Sequence, residues 1–297
     1  MKLAGRRAFR SEIVTGERLQ ALAGVSVVPG HVRRFHRHLD RHAAVTVDFE
    51  EYGELDDTAI AQIARQRTIF VYTHELDAFI EHVWPRLDGG PYVLMTHNSD
   101  GGVDASRLPW LEHAGDRLER WYAQNLELRH GKLEPLPIGI ANSMWPHGDL
   151  RALARVRSAP KDELVFLAFS PGTHPARRQL WESLRSAFPE LPAQAPAPRG
   201  FRPYLADLAR HRYCVCPRGN GIDTHRVWEC LYLGVVPIVE RSVHTDLWAE
   251  RGLPLLQVDD WREVEPAFLA GLDPVAPSPD LDLLRLSHYR ELLAGRG

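Results

Sequence analysis

The sequence is short of cysteine, of long apolar runs and of any large excess of one charge, and each shortage excludes something. Three cysteines in 297 residues are too few, and odd in number, for a disulfide framework, so a reducing cytoplasm is expected. Cys214 and Cys216 alternate within Tyr213-Cys214-Val215-Cys216 and share one face of a strand, where free cysteine acts as a small hydrophobe, against the alternative of a redox or metal role. No stretch reaches the roughly 18 uninterrupted apolar residues of a membrane span. Met1 to Arg7 is basic without a following apolar core, so no secretory signal is expected. Peripheral attachment at the inner face of the membrane stays compatible with the sequence. A formal net charge of −3 leaves no basic footprint for nucleic acid. No Cys-x-x-Cys pair marks a zinc site. His36, His38, Asp40 and His42 cluster among Arg33, Arg34, Arg37 and Arg41, which repel a cation, and read as a solvated helix. No metal is expected. There is no Walker loop, no Gly-x-Gly-x-x-Gly fingerprint in its usual form and no internal repeat.

What remains is an ordinary globular composition, 44% hydrophobic and 25% charged, long enough for two domains of about 100–200 residues. In the first half, 44–49, 68–72, 91–96 and 136–140 read as short buried strands. Helix-like segments lie at Asp57 to Arg65, Leu76 to Val83 and Leu118 to Leu126. After a helix at 151–157 and a linker at 158–162 the alternation restarts. Strands are expected at 164–169, 212–216, 235–239 and 255–258, and helices at 176–188, 204–210 and 224–233. Pro189 to Pro203 reads as an irregular surface loop. Leu281 to Leu293 is an amphipathic helix. Short apolar strands separated by helices predict parallel sheets covered on both faces. The expected domains are 1–155, 160–280 and a tail at 281–297 that can pack back on the first.

The chemistry concentrates between Cys216 and Glu229. A strand runs into Cys216-Pro217-Arg218-Gly219-Asn220-Gly221-Ile222 and then into a helix capped by Asp223 or Thr224. A helix N-terminus offers free N–H groups and partial positive charge to a phosphate. Arg218 and Arg226 flank it, and the guanidinium fork matches phosphate oxygens. Glu229 lies one turn after Arg226, where a carboxylate can accept from two ribose hydroxyls. The bland alternative is a surface Arg226–Glu229 pair of little energetic weight. Ser170 to Arg178 opens a second helix, and Arg177 is a further candidate for phosphate there.

The run Cys216-Pro217-Arg218-Gly219, then Asp223-Thr224-His225-Arg226-Val227-Trp228-Glu229, then Gly234-Val235-Val236-Pro237-Ile238-Val239 resembles the donor-binding signature of exostosin-like glycosyltransferases. Val258-Asp259-Asp260-Trp261 follows their pattern of a strand and then a Trp. A looser likeness runs through Leu94 to Asp100, Trp121 to Asn125 and Pro137 to Asn142, with Trp145 and His147-Gly148 beyond. It is similar to bacterial and viral enzymes of that kind, related to the ribitol-phosphate xylosyltransferase group. The resemblance implies an α/β, GT-B fold of two facing Rossmann-like domains. It implies transfer of a hexose or pentose from a nucleotide-diphosphate sugar to a glycan, glycolipid or glycan-precursor hydroxyl in polysaccharide biosynthesis. It implies no cofactor beyond that donor substrate. Arg218 and Arg226 would hold the diphosphate and Glu229 the ribose, with Gly219, Asp223, Thr224 and His225 completing the donor site.

Transfer also needs a base for the acceptor hydroxyl. Asp100, in the polar loop after the strand at 91–96, is the first choice, against the alternative of a turn residue. His97 is second, and His74 with Glu75 third. Asn98 and Asn142 are the other acceptor-side candidates. The partner Glu of many retaining GT-B enzymes would fall at Gly221. Its absence favours the exostosin kind over that retaining type without fixing the stereochemistry, and the enzyme expected is inverting and metal-independent. A non-catalytic GT-B scaffold in a glycan-assembly complex and a GT-B-fold sugar-nucleotide epimerase are the alternatives.

Overall fold

A computed structural model describes residues 5–28, 44–46, 54–191, 200–273, 277–278 and 280–295. The His36–His42 cluster and the end of the expected strand at 44–49 lie outside them. In chain order the helices are α1 (Arg6–Glu12), α2 (Gly16–Gln20), α3 (Asp57–Ala64), α4 (Leu76–Ala78, continued by a π-turn over Phe79–Val83), α5 (Leu108–Ala114) and α6 (Leu150–Val156). They continue with α7 (Ala176–Ala187), α8 (Phe201–Leu208), α9 (His225–Leu233), α10 (Val243–Glu250), α11 (Pro266–Gly271) and α12 (Leu286–Leu293). Among the described residues no helix is long and apolar enough to cross a membrane.

The chain divides into two compact units. The first unit, Val14–Ile138, Asn142–Met144 and Leu286–Gly297, holds strands β1 (Val25–Val28), β2 (Ala44–Thr46), β3 (Thr68–Tyr72), β4 (Tyr92–His97), β5 (Leu118–Ala123) and β6 (Leu133–Pro135). They form one parallel sheet in the order β2-β1-β3-β4-β5-β6. Every residue of β3 and β4 is buried, as a parallel sheet covered on both faces requires. The order reverses between β1 and β3, and in open α/β sheets ligands bind beyond the carboxyl ends of the strands at such a point. Val14, Leu19, Phe70, Tyr72, Met95 and Tyr122 pack with Leu286, Tyr289 and Leu293 of α12 in one core.

The second unit, Met1–Ile13, Gly139–Ala141 and Trp145–Arg285, holds β7 (Glu163–Phe166), β8 (His211–Val215), β9 (Val236–Glu240) and β10 (Leu256–Val258). These form a parallel sheet in the order β10-β9-β8-β7. The amphipathic α7 buries Leu180, Trp181 and Leu184 against Tyr213, Val215 and Ile238. Helix α9 ends where Gly234 takes the left-handed conformation (φ 69°), which glycine adopts without a Cβ penalty. Helix α1 belongs here: Phe9 meets Tyr232 edge to face at 5.9 Å and lies under Arg157 at 4.6 Å.

Several expectations change. Leu118 to Leu126 is not a helix: 118–123 form β5 beside β4, with Leu118, Trp121, Tyr122 and Ala123 buried. The extended form is fixed by pairing and by a buried bond from Trp121 Nε1 to Thr96 Oγ1 at 2.9 Å, which local helix propensity does not anticipate. The strand expected at 136–140 is β6, at Leu133–Pro135, with two bridge residues following at 139–140. Strand β7 stops at Phe166 rather than at 169. Residues 201–203 open α8 instead of ending a loop. The tail splits into a turn at Asp282–Leu284 and α12, because Leu284 belongs to the second unit, where its carbonyl accepts from Tyr232 Oη at 2.8 Å, and Leu286 to the first. The chain changes units between Ile138 and Trp145, ahead of the expected linker at 158–162. There Lys161 Nζ is tied to the Leu233 carbonyl at 2.7 Å and to that of Ala209.

Gly16 is the tightest approach in the first unit. A Cβ there would overlap Asn98 Oδ1 and stand 2.8 Å from His97 Cε1. Gly16→Ala should therefore cost about 1–3 kcal/mol, as overpacking does. Urea unfolding checks this, and an unchanged midpoint would show that the His97–Asn98 corner yields without cost.

Candidate functional site

The Cys216–Thr224 loop leaves the carboxyl end of β8 and enters α9. One side chain sets its course. Arg177, on α7, is 8% exposed and donates through Nε to the Arg218 carbonyl at 2.7 Å, through Nη2 to that of Pro217 at 2.8 Å and through Nη1 to that of Ser170 at 3.0 Å. Burial, with the charge of Arg226 behind it, lowers its guanidinium to about 10, so it stays charged at neutral pH. Arg177 is thus a clamp on the loop backbone: three of its five N–H donors are used on carbonyls, which turns it inward rather than toward a phosphate. Gly219 is corrected likewise, because its N–H closes a turn onto the Gly221 carbonyl at 3.0 Å. Asp223 turns inward, accepting from Trp228 Nε1 at 2.9 and 3.1 Å beside the buried His244. It braces the start of α9 and does not face a donor.

Other candidates are left with capacity. Arg218 Nε and Thr224 Oγ1 are buried polar atoms without a hydrogen-bond partner among the described residues. Thr224 is the N-cap of α9 but makes no side-chain cap. Buried polar groups are almost always paired, and Thr224 Oγ1 stands at the N-terminus of a helix, where partial positive charge suits an anion.

A cavity of about 970 Å³ lies within the second unit along β7. His225, Arg226 and Glu229 supply its wall from α9, and Phe166, Phe201 and Tyr204 supply aromatic surface. His225 Nδ1 is 2.8 Å from the Gly139 carbonyl, so that nitrogen carries the proton. Arg226 stacks over the Tyr204 ring at 5.4 Å and donates to the Ala168 carbonyl. Glu229 is 4% exposed and accepts from Tyr204 Oη at 2.6 Å. Burial raises its carboxyl above the ordinary range, against the Tyr204 hydrogen bond. Arg226 and Glu229 are therefore not a solvated surface pair. Tyr204, which touches both, was not among the residues singled out in the sequence. Its spacing from Phe201, one helical turn apart, is the signal that could have found it.

No family model and no curated protein matches the chain. Among solved structures it is similar to "Spinosyn Forosaminyltransferase SpnP", at 12% identity over 98% of this chain and 93% of that one, with a TM-score of 0.39. At that identity and score, the site must be read from its own residues.

In the first unit the candidates gather beyond β3, β4 and β5. His97 is not available as a base. Its Nε2 lies 2.9 Å from the Pro137 carbonyl, which can only accept, and its Nδ1 accepts from Asn98 N at 2.7 Å. Asn98 and Asn142 are tied to the protein as well. Asn98 Oδ1 accepts from Asn142 Nδ2 at 3.1 Å, Asn98 Nδ2 donates to Gln20 Oε1 at 3.2 Å, and Asn142 Oδ1 accepts from Glu17 N at 2.8 Å. Asn125 Nδ2 grips the carbonyls of Ser99, Asp100 and Gly101 at 3.1–3.3 Å. The loop is held, and Asp100 stands on it exposed.

Glu75 differs from all of these. It is 2% exposed; Oε1 is 3.5 Å from His74 Nε2, while Oε2 and the neighbouring Thr73 Oγ1 have no hydrogen-bond partner among the described residues. Burial raises its carboxyl above the ordinary 4.5. From pH 4.5 up to that raised value the folded chain keeps a proton the unfolded chain has lost, so stability falls as pH climbs through the window. Glu75→Gln should flatten that fall and leave the variant more stable than the parent at neutral pH. Urea midpoints followed from acid to neutral pH check this, and parallel curves for the two proteins would refute it.

Proposed function

We propose that the chain is a glycosyltransferase of GT-B type that moves a sugar from a nucleoside-diphosphate sugar to a hydroxyl of a glycan or glycan precursor, with inversion and without a metal. The observation that carries this reading is the approach to α9 and its first turns: Arg218 Nε and Thr224 Oγ1 have no hydrogen-bond partner among the described residues, and Arg226 and Glu229 line an aromatic-walled cavity. A departing diphosphate is an anion that gains charge in the transition state. A guanidinium and a helix N-terminus stabilise that charge without reorganising. Arg218 and Arg226 hold the diphosphate, Thr224 Oγ1 adds a donor, and the Glu229 carboxylate, oriented by Tyr204, takes the ribose hydroxyls. The aromatic surface of Phe166, Phe201 and Tyr204 offers stacking area for a base.

For the acceptor proton the strongest candidate is Glu75 in place of Asp100 or His97. A buried carboxylate with one oxygen unpaired among the described residues has an acceptor in hand for the proton of a hydroxyl. His74, beside it and half-exposed, is placed to orient it.

Calorimetric titration with a panel of nucleoside diphosphates, together with donor-hydrolysis assays on their sugars, tests the reading. Saturable binding of at least one is expected, and binding of none would sink it. Arg218→Ala and Arg226→Gln should each weaken that binding by about 10- to 100-fold, the worth of one charge-assisted contact. Glu75→Gln should leave nucleoside diphosphate affinity unchanged while transfer drops by about 100- to 10,000-fold. Unchanged transfer would return the base to Asp100.

A further inference from the structure

The three cysteines of the chain meet. Cys214 and Cys216 project from the same face of the β8 segment, and Cys230, on α9, closes the group. Cys216 Sγ is 3.7 Å from Cys214 Sγ and 3.8 Å from Cys230 Sγ, and all three sulfurs lie within 4.8 Å of one another. All are free thiols, at most 3% exposed. A Zn–S bond is about 2.3 Å, which puts thiolates around one ion at roughly 3.8 Å apart in a tetrahedron and 4.0 Å in a flat triangle. Two of the three separations already stand at that spacing, and the third is within 4.8 Å. Zinc structural sites use four ligands, and no carboxylate or imidazole joins this group among the described residues. Soft ligands that are all sulfur and only three in number suit copper(I) better.

The surroundings supply the remaining requirement. Three thiolates around a monovalent ion carry a net charge of −2, which a dry interior tolerates only beside a counter-charge. Arg226 lies next to the group. Its guanidinium bonds to Cys214 and supplies one positive charge beside the group.

We propose that Cys214, Cys216 and Cys230 form a three-thiolate site for copper(I). Loading exchanges protons for metal: three thiols and one copper(I) ion give one tris-thiolate complex and release three protons, with no change of oxidation state. The site ties the end of β8 to the second turn of α9. It shares Arg226 with the donor reading but uses three sulfurs that the donor reading does not, so copper retention and nucleoside diphosphate binding are separate readouts.

The test uses the full chain, reduced and oxygen-free, exposed to copper(I) acetonitrile complex both folded and during refolding, then challenged with a chromogenic copper(I) chelator. One copper per chain by native mass spectrometry, a sulfur-only shell by X-ray absorption and protection of all three thiols from alkylation are the expected results. Cys216→Ser and Cys230→Ser should each abolish stoichiometric retention. Cys216→Ala and Cys230→Ala, which place no hydroxyl in the core, serve the same purpose should the serine variants unfold. Loss of all copper to the chelator by both routes, a nitrogen-containing shell, equal retention by the variants, or a metal-free disulfide among the three would each overturn the proposal.

Discussion

Arg177 sits in the interior of the second unit with three backbone carbonyls as its partners instead of a carboxylate. That choice has a structural consequence. A carboxylate would neutralise the charge but fix nothing beyond itself. Three carbonyls, from Ser170 at the end of the β7 segment and from Pro217 and Arg218 after β8, make one planar group a template for two loops. The guanidinium fork suits this because its donors point in fixed directions. Everything proposed for the donor site hangs on the course this clamp gives to the chain. It holds the backbone at Pro217 and Arg218, on the approach to α9. Charge that remains at Arg177 also adds to the positive potential around Arg226.

The first unit achieves the same end with neutral groups. His97, Asn98, Gln124, Asn125 and Asn142 use their amide and imidazole atoms to hold one another and the 99–101 loop. Asn98 and Asn125 take positive φ angles of 58° and 52°, conformations that asparagine tolerates better than most residues. Against this closed lattice, the unpaired Thr73 and Glu75 are conspicuous. Among the described residues Gln20 Nε2, Thr73 Oγ1 and one Glu75 carboxylate oxygen have no hydrogen-bond partner here, and a catalytic role is one of the explanations for such exceptions.

Much of the architecture was legible because its signal is periodic. The five-residue β3 (Thr68–Tyr72) and helix α7 announce themselves by apolar runs and by spacing. The exception, 118–126, shows the limit: Leu118-Glu119-Arg120-Trp121-Tyr122-Ala123 suits a helix locally and becomes a strand because β4 offers a ladder and Thr96 an acceptor for Trp121. The Cys216–Glu229 segment was legible as a strand, a loop and a helix with arginines. The directions of its side chains were not. Gly219 and Arg177 are of residue types that suit a phosphate site and Asp223 of one that suits a helix cap beside it, yet all three are turned to internal work. Tyr204 comes from another helix and is joined to Glu229 only by folding.

By itself the sequence determined the two parallel α/β alternations, the helix that follows Cys216–Asp223, and the presence there of arginines and a glutamate one turn apart. These are local properties, fixed by hydrophobic period and by spacing along a helix. Tertiary structure decided which of those groups stay unpaired and which become braces, that Glu75 is buried while Asp100 is not, and that Cys230 meets Cys214 and Cys216. Burial and hydrogen-bond partnership depend on what packs against a residue, and the partners here are drawn from segments far apart in the chain. A residue type names what a side chain can do, and its buried neighbours determine whether that capacity is already used.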